Sequence, residues 1–399
     1  MLPKIFCTVC HSDRLETALD LGYQPPANRF INADESTDNE ERFKLALGFC
    51  QDCGTVQLTK RMPNEAIRPR YEWLLYNEPE GHLDDVVLNL HQLPGMNEDS
   101  RIVGTTYKDI TTLQRFKNLG INNTACINES DFKGLPHPFG LETIQDSLQD
   151  ESVIGQIHDK YGKADLLVVR HIIEHSTSAK SLLQNLSKLL KPGGYIVLEM
   201  PDSEHIFKAG NHGFIWEEHI SYFTSKSIYQ IAMEVGAELV WKKRYPYPYE
   251  DSLITVLKFG HENYEPENTV DQTDTKKIIR EFATSLDENR IFWRKTLMEY
   301  KSKDIPVAVF GAGHLAVKFI NFLELGDLID CVIDDHPEKK QCIMPGSHLE
   351  IVSSAELSER NIKICISTLS PESEVKVKKK LPEFFSSGGV FIPASIPQK

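Results

Sequence analysis

Two cysteine pairs, Cys7-x-x-Cys10 and Cys50-x-x-Cys53, are the residues whose type and spacing most directly specify a chemistry. Each pair presents two thiolates from one tight turn, and four thiolates complete the tetrahedral shell of a structural zinc ion. A shell closed this way has no position left for water or substrate, so the predicted ion holds structure and performs no reaction. Reactive groups stand further along. Arg170-His171-Ile-Ile-Glu174-His175 ends an apolar run, and Trp216-Glu217-Glu218-His219-Ile-Ser221-Tyr222-Phe223 sets carboxylates, an imidazole and a phenol among residues that favour burial. Gly311-Ala-Gly313-x-x-Ala316 follows another apolar run, with Asp334 roughly twenty residues later, a spacing that fits a dinucleotide fingerprint. The same loop fits a simpler use, because backbone N–H groups at a helix N-terminus favour any anion.

Three blocks must position these groups. The first, over 1–70, is the metal-tied module, whose two knuckles are separated by a 39-residue insert. From Arg101 onward, apolar runs alternate with helical segments: 102–103, a helix over 111–119, 124–127, 164–169, a helix ending at Leu190, and 194–199. Strands separated by helices predict a parallel sheet covered on both faces, filling a second block over 71–260. Open sheets of this kind bind ligands outside the carboxyl ends of their strands, which places His171, Glu174 and His175 at a cleft. The stretch 69–82 reads as a connector, and Tyr245-Pro-Tyr-Pro-Tyr249 as an aromatic segment with either a cleft or a purely structural role. The third block, 261–399, begins with a polar acidic stretch over 261–274 and a helix over 276–300. It continues with apolar runs at 306–310, 328–333 and 362–366, a second and smaller α/β unit. The lysines between 376 and 380 read as a solvated helix face.

With 399 residues, 40% hydrophobic and 26% charged, the composition is that of a globular protein of two or three domains. A net charge of −14 argues against nucleic acid as a partner. No apolar run approaches the roughly 20 residues that span a bilayer, so no membrane partner is expected. Met1-Leu-Pro-Lys leads directly into the cysteine module, and a cytoplasmic location is expected. Cys126, Cys331, Cys342 and Cys365 stand singly, mostly in apolar surroundings, which predicts reduced thiols and no disulfides.

The segment 165–175 together with Leu189-Leu-Lys-Pro-Gly-Gly194-Tyr-Ile-Val-Leu-Glu199-Met-Pro201 looks like the later strands of a class I S-adenosylmethionine-dependent methyltransferase. Adding the zinc knuckles, the Trp216 to Phe223 stretch, Gly311-Ala-Gly313-His314, Asp334-Asp335-His336-Pro337 and Met344-Pro345-Gly346, the order resembles the three-domain sugar C-methyltransferases. That resemblance implies an α/β chain of three parts: a zinc-knuckle module, a class I methyltransferase-like Rossmann domain and a smaller C-terminal Rossmann-like domain. It implies methyl transfer to a nucleotide-linked 4-keto deoxysugar held between the second and third parts. A 4-keto group acidifies the neighbouring C3 proton; His219 would remove it, Glu218 would orient His219, and Tyr222 would supply a nearby hydroxyl. Cofactor contacts would come from Gly104, Thr105, Glu129, His171 and His175. Gly311, Gly313, His314 and Asp334 would meet the substrate, with the Gly311 loop facing its diphosphate.

Two departures from the family pattern stand out. Trp216 and Glu217 occupy places where a Tyr and a His are usual, and Arg101-Ile-Val-Gly104-Thr-Thr-Tyr107-Lys108-Asp109 keeps one glycine where two or three are expected. They leave two other readings open: a retired relative that binds a sugar nucleotide or a partner protein without methylating, and a nicotinamide-dependent sugar-modifying enzyme.

Overall fold

A computed structural model describes residues 4–68, 78–132, 140–248, 250–260 and 273–395. The N-terminal module contains strands β1 (Leu15–Gln24), β2 (Ile31–Asn32), β3 (Phe43–Cys50) and β4 (Val56–Lys60), with β3 paired antiparallel to both β1 and β4. Leu45, Leu47 and Phe49 of β3 are fully buried in a core shared with Ile279, Phe282 and Leu286 of the long helix Thr273–Lys301.

The middle sheet uses β5 (Ile102–Gly104), β6 (Thr124–Cys126), β7 (Ala164–Arg170), β8 (Leu190–Pro201), β10 (Glu238–Tyr245) and β11 (Ser252–Lys258), while β9 (Ser221–Tyr222) lies elsewhere. Its order is β10-β11-β8-β7-β5-β6; β5 to β8 run parallel and β11 is antiparallel to both neighbours. Successive strand residues point to opposite faces. Leu166, Val168 and Val197 therefore pack with helices Leu83–His91 and Ile110–Asn118, and Leu167, Val169, Ile196 and Leu198 with helices Glu151–Tyr161 and Ala179–Ser187. Two covered faces explain why these strands are apolar over Leu166 to Val169 and Tyr195 to Leu198, just before Arg170 and Glu199.

The C-terminal unit is an all-parallel sheet of β12 (Val307–Phe310), β13 (Cys331–Ile333), β15 (Ile351–Val352), β16 (Ile364–Ser367) and β17 (Val390–Pro393), ordered β15-β13-β12-β16-β17. A short β14 (Cys342–Ile343) leaves it to pair with β2 of the N-terminal module. Likewise β9 joins the N-terminal sheet, with Tyr222 opposite Val56. The zinc module is thus stitched by main-chain hydrogen bonds into both other parts, an arrangement that chain order alone does not suggest. Residues 69–77 and 261–272 of the anticipated connectors, and Tyr249, lie outside the described residues. Among the described residues, no helix is long and apolar enough to cross a membrane.

Candidate active site and metal centre

The Sγ atoms of Cys7, Cys10, Cys50 and Cys53 all lie within 4.8 Å of one another, with Cys7 to Cys53 at 3.4 Å and Cys10 to Cys50 at 3.6 Å. Four sulfurs at ~2.3 Å from zinc stand about 3.8 Å apart, so the donor set fits the ion without rearrangement. The Thr55 hydroxyl lies 3.1 Å from the Cys53 sulfur and the Cys10 N–H donates to the Cys7 sulfur at 3.5 Å, contacts that orient ligands from outside the shell. Zinc is a structural group of this module.

Near the carboxyl edge of the middle sheet, two adjacent strands carry opposite charges in register, Arg170 at the end of β7 against Glu199 just before the end of β8. Their side chains are buried and joined by a hydrogen bond from Arg170 Nε. Glu199 also meets His82 Nε2 at 2.8 Å and accepts from the Ser252 hydroxyl at 3.0 Å. Sequence reasoning missed this pair; the signal was a lone charge closing each of two neighbouring apolar runs. Beyond Arg170 the chain turns through His171, whose φ of 53° lies in the left-handed region, a backbone cost that ordinary loops avoid. Burial alone would depress the His171 pKa, but Glu78, Glu174 and Glu199 outweigh it and raise it to about 10, so the ring is an imidazolium at neutral pH.

The stretch from Trp216 to Tyr222 sends its side chains in different directions. Glu217 accepts from the Ala27 N–H of the zinc module and meets His314 Nε2 at 3.2 Å and the Lys318 ammonium, both on helix His314–Phe322. Burial opposes its charge, yet Lys318 and His314 hold its carboxyl far below the usual range. Glu218 accepts from Asn28 Nδ2 of the zinc module at 3.3 Å. Glu174 lies within 4.8 Å of His219, and His175 completes the group, its ring edge-on to His219 at 4.8 Å between centroids. Tyr222 donates its hydroxyl to the Trp216 carbonyl at 3.0 Å, and burial raises its pKa well above the phenolic value, so it braces the turn. Trp216 stacks on His314 at 4.6 Å and lies 5.1 Å from His219, forming a wall between them. Burial lowers the His219 pKa to about 4 and the His175 pKa well below its ordinary value, leaving both rings neutral.

The cofactor loop departs from a glycine-rich turn in a specific way. Asp109 folds back so that its Oδ2 accepts from the N–H groups of Thr105 at 2.6 Å and Thr106 at 3.0 Å, while Oδ1 accepts from Arg170 N at 3.1 Å. Gly104 permits this closeness, since a Cβ there would lie 2.7 Å from the Asp109 Cβ. Thr105 adds its hydroxyl to the same carboxylate. Desolvation pushes the Asp109 pKa up to about 6. Glu129 begins a short turn over Glu129–Asp131 after β6. Buried polar atoms still face the strand ends: Arg170 Nη2 and His171 Nε2 have no hydrogen-bond partner among the described residues. That polar edge fits S-adenosylmethionine, with the amides of the first turn already taken by Asp109.

In the C-terminal unit, Gly311 has φ of 101°, and a Cβ there would lie 2.9 Å from Leu369 and 3.0 Å from the Thr368 hydroxyl, so the turn requires glycine. Gly313 caps helix His314–Phe322. Asp334 accepts from Ala312 N at 2.9 Å and pairs with Lys339 at 2.9 Å, which commits the carboxylate that a nucleotide ribose would use. His314 is drawn into the Glu217 contact.

Three family models match in order: "Putative zinc binding domain" over residues 7–67, "Methyltransferase domain" over 108–242 and "C-methyltransferase C-terminal domain" over 262–397. The C-methyltransferase NovU of Streptomyces niveus is 22% identical over 236 residues, covering 59% of this chain and 56% of NovU. The match therefore spans little more than half the length of that relative. Among solved structures, a SAM-dependent methyltransferase of Anabaena variabilis aligns at 15% identity and TM-score 0.31 over 45% of this chain and 85% of its own. The 1,6-didemethyltoxoflavin-N1-methyltransferase of Burkholderia thailandensis aligns at 11% identity and TM-score 0.31 over 46% and 80%. The fold assignment rests on the strand order described above, a class I methyltransferase sheet with one antiparallel strand next to its edge. The zinc-binding, methyltransferase and C-methyltransferase models thus match in the order of the three-domain C-methyltransferases, the layout that this chain resembles.

Proposed function

We propose that the protein transfers a methyl group from S-adenosylmethionine to a carbon of a nucleotide-linked keto-deoxysugar. The observation that carries this reading is the convergence of His219, His175 and Glu174 at the carboxyl edge of the methyltransferase sheet, beside the contact with the C-terminal unit. When bound, S-adenosylmethionine supplies an electrophilic methyl group. Arg170 Nη2 would donate to it beside the turn from Gly104 to Thr106, whose amides Asp109 already occupies. His219 is neutral at physiological pH, so its lone pair is available to take the proton next to the ketone. Glu174 then stabilises the imidazolium that forms, the part the sequence assigned to Glu218. His171, held as an imidazolium, would donate to the developing enolate oxygen. The burial of all three groups excludes water that would compete for the proton.

One observation favours a second reading. Asp109 satisfies the two amides of the first turn internally, as expected of a relative that binds a sugar nucleotide and has given up the cofactor. Calorimetric titration with S-adenosylmethionine and S-adenosylhomocysteine separates the two. Saturable micromolar binding is expected; no binding of either ligand by folded, zinc-loaded protein overturns methyl transfer in favour of the retired form. The nicotinamide-dependent reading is disfavoured by the Asp334 contacts, and NAD in the same titration tests it.

A further inference from the structure

We propose that Glu174, His175 and His219 form a second metal site, taking a borderline divalent transition ion such as Zn²⁺ or Co²⁺ independently of the thiolate centre. One ligand atom from each residue lies within 4.8 Å of the others, and the residues are 2%, 6% and 9% exposed. Ligands about 2.1 Å from an ion stand roughly 3.4 Å apart, so small side-chain rotations close the set. Two imidazoles and one carboxylate form a three-ligand set that leaves a coordination position open.

Three features make this a built site. Both Glu174 carboxylate oxygens and His175 Nδ1 lack a hydrogen-bond partner among the described residues, although buried polar atoms are almost always paired. Among the described residues, the cationic group paired with Glu174 is His171 Nδ1 at 3.5 Å, too long for a strong hydrogen bond. The His175 ring hydrogen-bonds the Glu218 main chain, while its Nδ1 has no hydrogen-bond partner among the described residues and is left to ligate. A ligating histidine characteristically gives its other N–H to a carbonyl in this manner. Finally, Ile220 N donates to Glu174 O at 2.8 Å, which ties the turn carrying Glu174 and His175 to the turn carrying His219.

The ion would occupy the same His219 lone pair that accepts a proton in the proposed reaction. Metal uptake and the base role therefore exclude one another, and the ion acts as a reversible block. The site does not depend on methyl transfer being the reaction.

The test is titration of the zinc-loaded full chain with Co²⁺, followed by visible absorption and metal content. Uptake of one Co²⁺ per chain beyond the thiolate-bound ion is expected, with a ligand-field spectrum lacking thiolate charge transfer. Glu174→Gln and His175→Ala should each weaken this uptake by roughly 100-fold or more, while retained thiolate zinc reports an intact fold. Absence of saturable uptake by the wild type, uptake carrying only the thiolate charge-transfer signature, or equal uptake by folded Glu174→Gln would each overturn the proposal.

Discussion

Glu217 and His219 are two residues apart in one turn, yet their surroundings are opposite in kind. Glu217 reaches across a domain boundary and finds an ammonium, an imidazole and a main-chain N–H. His219 faces a carboxylate whose oxygens have no hydrogen-bond partner among the described residues. A buried carboxylate met by opposite charge and an N–H holds two parts in one arrangement, whereas one without hydrogen-bond partners costs stability and persists where a ligand or a reaction uses it. One turn thus carries a fastener between domains on one side and a receptive site on the other.

The largest effect should follow from breaking the fastener. Lys318→Ala leaves Glu217 charged, buried and short of its main partner, and should cost about 3–5 kcal/mol in denaturant unfolding. Replacing the pair together, Glu217→Leu with Lys318→Met, should recover most of that loss, because removing both charges is far cheaper than removing one. A double variant as unstable as Lys318→Ala would show that the pair is not the determinant.

Truncating the open side should do the reverse. His219→Ala should lower kcat by roughly 10²- to 10⁴-fold, the usual worth of a positioned general base, while thermal unfolding changes little. With the His219 pKa lowered to about 4, the acid limb of kcat/KM should lie near pH 4 and activity should be flat across neutrality. An acid limb near 6.5 would mean that the base is another group.

The two carboxylates with opposite shifts give the next contrast. Asp109, raised to about 6, contributes stability that is full below pH 3.8 and lost as pH rises through 6, an amount of about 3 kcal/mol. Glu217, depressed, contributes stability that is present above pH 4.5 and lost as pH falls below it. Asp109→Asn should remove the first trend and Glu217→Gln the second, read from unfolding midpoints against pH. The smallest effect belongs to the surface: Arg280→Ala, which breaks an exposed pair with Glu16, should change stability by less than about 1 kcal/mol.

How much of this was legible in the chain differs from element to element. The thiolate centre could be read because four ligands in two tight turns carry their own geometry, and the sheet because strands buried on both faces must be apolar throughout. That Glu174 comes beside His219 could not be read, because an irregular turn has no helical or strand period to fix where its side chains point. Arg170 and Glu199 became a pair only through strand register.

The sequence by itself determined the zinc ligands, the alternation of strands and helices, and the order of the three modules, since each depends on local spacing or on periodicity. Tertiary structure alone decided that β9 and β2 bind the zinc module to both neighbours, that Glu217 meets Lys318, and that Glu174 joins His175 and His219. These contacts join residues distant along the chain, and their energies come from desolvation and charge pairing that exist only once the surrounding core has excluded water.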